Sequence, residues 1–169
     1  MSRSRVVIAL VAVVVAIIVQ TTVFGAGRIQ PLGVPPALVT LVVIAIAPYI
    51  EAEYHILVGF TAGILVDLTG SGTLGLWAMS LTIVAFVANR IGERFTTSIV
   101  VYLSAVFGLT VLGQVIYVLV GTLFGQGTLG EPQLVQKIVL PAVWNLVLAY
   151  PVWWLLKISF RTREKSWAP

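Results

Sequence analysis

Cysteine is absent from the 169 residues, and histidine occurs once. Disulfides, thiolate chemistry, Cys-ligated zinc and a His-cluster metal centre are thereby excluded. Charge is scarce as well: 9% of residues are Asp, Glu, Lys or Arg, against about 25% in a soluble domain. So little polar material leaves no room for a soluble catalytic domain. The acids are Glu51, Glu53, Asp67, Glu93, Glu131 and Glu164. All but Asp67 fall in expected loops or tails, so no acid–base pair and no Ser/His/Asp arrangement emerges. The ten basic residues sit at expected helix ends, with no aromatic-interleaved basic patch, and nucleic acid is not an expected partner. The reading is of a protein without catalytic, cofactor or metal site.

What the chain has in quantity is apolar sequence, 59% of its residues, with a mean hydropathy of +1.07. The expected fold is an all-α integral membrane protein, one polytopic domain over 1–169. Six transmembrane helices are predicted over 6–24, 34–50, 56–68, 74–89, 99–124 and 138–160. The basic start and apolar run to Phe24 read as helix 1 rather than a cleaved leader, because the residues around Gly25 and Ala26 make a poor cleavage site. Pro35-Pro36 is expected to open helix 2 from its first turn. Helix 3 is expected to be short, covering about 20 Å of a hydrocarbon core about 30 Å thick. Helix 5 is long and interrupted by Gly108, Gly113 and Gly121, which predicts tilt or a bend. Six helices put both termini on one side. Placing that side in the cytoplasm leaves eight basic residues inside (Arg3, Arg5, Arg90, Arg94, Lys157, Arg161, Arg163, Lys165) and two outside (Arg28, Lys137), as the positive-inside rule requires. Tyr49, Tyr54, Trp77, Trp153 and Trp154 suit interfacial belts.

One block stands out from this background. Gly59, Gly63 and Asp67 recur every four residues and therefore share one side of a helix. Two such glycines admit a close neighbouring helix, and an acid in line with them needs shielding from lipid. Asp67 is read first as a hydrogen-bonding pin to a neighbouring helix or to loop amides of 70–75, with proton or ion handling as the alternative. The loop Gly70-x-Gly72-x-x-Gly75 repeats as Gly125-x-Gly127-x-x-Gly130, but neither follows a strand in a βαβ unit, so a dinucleotide site is not expected. Glu51-x-Glu53-x-His55 reads as a solvated loop rather than a metal site. Asn145, between Pro141 and Pro151, is placed to cap a proline-freed carbonyl or to bond another helix. Ala12-x-x-x-Ala16 offers a small-residue docking face on helix 1.

The run Gly59-x-x-x-Gly63-x-x-x-Asp67-Leu68, the glycine turn and Leu74-Gly75-Leu76 resemble a block of the MreD family of rod shape-determining membrane proteins. Leu140-Pro141-x-x-x-Asn145 in the last helix is similar to the family too, as are the size and the short basic tail. The resemblance implies a non-enzymatic scaffold of the bacterial elongation complex in the cytoplasmic (inner) membrane, helping to organise or regulate peptidoglycan synthesis and cell shape. It implies an MreC-type protein as direct partner, and a RodA-type glycosyltransferase, a class B penicillin-binding protein and MreB as further members of the complex. Membrane lipid surrounds such a protein, and a homodimer within the complex is left open. In fold the family is similar to substrate-binding subunits of energy-coupling-factor vitamin transporters. The alternative function is therefore a small-molecule-binding transporter subunit, docking through Ala12 and Ala16. Gly59, Gly63, Asp67, Gly70, Gly72, Gly75, Pro141 and Asn145 are the expected structural residues.

Overall fold

A computed structural model describes residues 3–25, 29–70, 72–95 and 97–161. Among them are six α-helices and no strand: α1 (Arg3–Thr22), α2 (Leu38–Ala45), α3 (Ala52–Thr69), α4 (Leu76–Ile91), α5 (Ile99–Leu123) and α6 (Leu134–Arg161). Arg28, Arg163 and Lys165 of the charge pattern lie outside the described residues, as does Ser71 of the glycine loop. Among the described residues, three helices are long and apolar enough to cross a membrane, over Ser4–Thr22, Ile99–Leu123 and Leu134–Phe160.

The central element is α2, not an outer one. It packs against each of the other five helices, and all eight of its residues are buried. It is also the short helix. A proline disfavours the helical region for the residue before it, so 34–37 stay outside any helix and α2 starts at Leu38. Pro35 and Pro36 thus precede α2 instead of forming its first turn. At the other end Pro48 has no N–H, and its ring would strike the carbonyl of Ile44, so α2 stops at Ala45 and passes into a 3₁₀ turn, Ala47–Tyr49.

The expected short helix 3 is corrected by the structure: α3 has 18 residues, about 27 Å at 1.5 Å per residue. The run 52–55, read as loop, is its first turn. Glu53 there faces the positive end of the helix dipole, a favourable site for an acid. Helix 6 likewise begins at Leu134, earlier than expected, and keeps both Pro141 and Pro151 inside one helix. α5 is continuous through Gly108, Gly113 and Gly121, about 37 Å long.

The core runs along α2, with Leu41, Val43, Ile44 and Ile46 fully enclosed beside Leu81 and Val84 of α4 and Tyr102 and Val106 of α5. The Tyr102 hydroxyl donates to the Ala149 carbonyl of α6 at 3.2 Å. Outward-facing residues are apolar too, among them Val7, Val11 and Ile18 on α1 and Val143, Val147 and Trp154 on α6. A surface of that kind suits lipid or a partner helix. The molecule has two distinct ends. At one, Tyr49 stacks on Phe160 at 4.6 Å and the Asn89 amide donates to the Ile50 carbonyl. At the other, Trp77 stacks on Tyr117 at 4.6 Å beside the glycine loop.

Candidate functional site

The glycine face of α3 lies on α4. A Cβ at Gly59 would fall 2.6 Å from Ala85 Cβ and 2.8 Å from the Leu81 carbonyl oxygen. A Cβ at Gly63 would enter the Trp77–Ala78 peptide, 2.5 Å from Ala78 N. The α3–α4 hairpin is therefore closed to backbone contact along this line.

Asp67 continues the line and is 5% exposed. Its Oδ2 accepts the main-chain N–H of Gly75 at 2.9 Å and of Ala78 at 3.1 Å, while Oδ1 accepts that of Trp77 at 3.1 Å. These N–H groups belong to the N-terminus of α4, whose own cap residue is Gly75 and has no side chain to offer. Asp67 is thus the cap of α4, supplied from the last turn of α3. A carboxylate at a helix N-terminus also meets the favourable end of the dipole. Gly75 holds φ at 99°, a left-handed conformation that places its N–H on the carboxylate. Gly70 ends α3, donating to the Val66 and Asp67 carbonyls, and Gly72 faces the Tyr117 ring, where a Cβ would sit 3.3 Å from the hydroxyl.

The same device recurs at α2. Its cap residue is Ala37, which has no side-chain acceptor, and Gln20 Oε1 of α1 accepts the Val39 N–H at 3.0 Å. Asn145, fully buried on α6, donates to the Ala37 carbonyl and to Thr110 Oγ1 of α5, each at 3.0 Å. Its target is the start of α2, not a carbonyl freed by Pro141 or Pro151. At the far end of α2, His55 Nε2 donates to the Val43 carbonyl at 2.8 Å. His55 is fully buried on α3, whereas the sequence placed it in a solvated loop beside Glu51 and Glu53. A short helix at the centre is therefore tied off by α1, α3 and α6. Gln20 and His55 were missed as site residues. For Gln20 the available signal was an amide ending a long apolar run.

The two glycine loops meet as well: Gln126 Nε2 donates to Thr73 Oγ1 at 2.8 Å. Ala12 and Ala16 line an apolar groove of about 600 Å³ between α1 and α6, floored by Leu38 and Val42 of α2, with Ser159 at one end. A second cavity, about 420 Å³ and far more polar, opens beside Asp67, Trp77 and Tyr117. With both Asp67 oxygens engaged by main-chain N–H groups, the arrangement is built to hold helices together.

A family model described as rod shape-determining protein MreD matches residues 2–159. No curated protein and no solved structure matches the chain.

Proposed function

The chain belongs to the MreD family of rod shape-determining proteins, and on that premise we propose that it is a non-enzymatic membrane scaffold of the cell-elongation complex. The family supplies the role in rod shape and the membrane setting. The finer reading is ours. All six helices span or lie within the cytoplasmic membrane, with both termini in the cytoplasm. Arg90, Arg94 and Lys157, which follow or end α4 and α6, support that orientation.

On this reading the direct partner is an MreC-type protein, whose membrane helix docks in the groove between α1 and α6. The groove is the observation that carries the proposal: it runs along α1 from Val7 to Val19, and Ala12 and Ala16 let a helix approach closely. Through that partner the protein positions a RodA-type glycosyltransferase and its class B penicillin-binding protein, and connects to MreB. Peptidoglycan synthesis is thereby organised along the cylinder of the cell.

The test is co-purification of an MreC-type protein with the double variant Val11→Trp, Val15→Trp, two groove positions that are more than half exposed. The filled groove is expected to abolish capture while thermal stability stays close to that of the parent protein. Capture at the parental yield by a folded double variant would remove the groove as the docking surface.

A further inference from the structure

The polar cavity beside Asp67 lies where the ends of α1 and α3 meet the starts of α2 and α4, with Tyr117 of α5 as a further wall. Its volume of about 420 Å³ falls in the range of small-ligand sites. Its only charged side chain among the described lining residues is acidic, and three of the polar side chains around it have committed hydrogens to main-chain carbonyls. Thr21 Oγ1 donates to the Ile17 carbonyl at 2.8 Å, and Thr69 Oγ1 donates to the Val66 carbonyl at 2.9 Å. Gln30 Nε2 donates to the Gly25 carbonyl at 3.2 Å. What these three residues have left to offer are oxygen lone pairs. Asp67 is acceptor-only, and its Oδ1 takes a single N–H, leaving capacity for another donor. The stacked rings of Trp77 and Tyr117 complete the lining. No lysine, arginine or histidine is among the described residues that line it.

We propose that this cavity binds a primary ammonium group. Four acceptor oxygens suit the three N–H donors of –NH₃⁺, the carboxylate complements its charge, and the aromatic pair adds a cation–π wall. An anion would face the Asp67 carboxylate with no lysine, arginine or histidine among the described lining residues to offset it. The same chemistry has two sources, the head group of an ethanolamine phospholipid and a soluble amine. The proposal does not rest on the docking of a partner in the α1–α6 groove.

The experiment uses the full chain in nanodiscs of phosphatidylglycerol alone, labelled with 5-fluorotryptophan, with the Trp77 resonance assigned through Trp77→Phe. Ethanolamine is titrated in, choline is titrated in parallel, and a second preparation contains phosphatidylethanolamine. A saturable shift of the Trp77 resonance with ethanolamine identifies a soluble amine, and a shift with the phospholipid alone identifies the head group. Choline, which has no N–H, should bind at least about tenfold more weakly, and Thr21→Val should weaken the response by about tenfold. No shift with either amine source, or a choline response equal to that of ethanolamine, overturns the proposal.

Discussion

Gly63 of α3 faces the Trp77–Ala78 peptide of α4 so closely that no side chain fits between them. The contact sits one turn before Asp67, whose carboxylate binds the N–H groups of that same stretch. Close approach and capping are therefore one feature: the carboxylate reaches α4 because the glycines let the two backbones meet.

Gly63→Ala should destabilise the protein by about 1–3 kcal/mol or more, since the obstacle is backbone and cannot rotate away. Gly108→Ala on α5 is the comparison, because a Cβ there meets nothing within 4 Å. Its helix propensity should make it neutral or slightly stabilising. Thermal unfolding of the two variants in one detergent reads the difference directly.

Asp67→Asn should cost about 1.5–3 kcal/mol, the range for hydrogen bonds to a charged acceptor, because the amide turns a donor toward one of the N–H groups. As Asp67 is 5% exposed, the loss should be nearly the same at low and high salt. A penalty that vanished in high salt would mark a surface charge effect instead of a buried cap.

The two look-alike glycine loops should respond differently. Gly75→Ala forces a side chain into a conformation with φ at 99° and should cost about 1–2 kcal/mol. Gly130→Ala adds a methyl in open space without a left-handed φ, so a change within about 0.5 kcal/mol is expected. Equal losses would show that the second loop is as constrained as the first.

The amides that hold α2 should also separate, in an order opposite to their burial. Gln20→Leu removes the acceptor of the Val39 N–H, which has no partner within its own helix, for an expected loss of about 1–3 kcal/mol. Asn145 is fully buried, yet Asn145→Leu orphans nothing. The Ala37 carbonyl keeps the Leu41 N–H, Thr110 keeps its bond to Val106, and the Asn145 oxygen has no partner among the described residues. Its loss should stay near or below about 1 kcal/mol. Chemical unfolding of both single variants checks the order.

What could be read in the sequence follows from the range of each interaction. Long apolar runs carry their own signature, so α1 and α5 lie close to their expected bounds. Repeats of glycine and acid at helical spacing pointed to the α3 face and to the family. The start of α3 was missed because a polar stretch hides an amphipathic turn, with Glu53 exposed and His55 buried on opposite sides. The clamps on α2 join residues far apart in the chain, Gln20 to Val39 and Asn145 to Ala37. No local pattern encodes such a meeting. The cavity beside Asp67 was invisible for the same reason, since its walls come from α1, α3, α4, α5 and the segment before α2.

The position of α2 bears on how the molecule is made. This helix emerges early in synthesis, yet Asn145, which adds a second hydrogen bond to the Ala37 carbonyl, comes 108 residues later in the chain. Its eight helical residues cover only about 12 Å, so the segment before it and the 3₁₀ turn after it must complete the crossing, and its ends are held by α1, α3 and α6. Biogenesis must therefore finish with a non-local closure, in which α6 arrives and locks an element inserted long before. A ribosome-stalled chain ending before α6 should remain open to proteases around α2, and the completed chain should not.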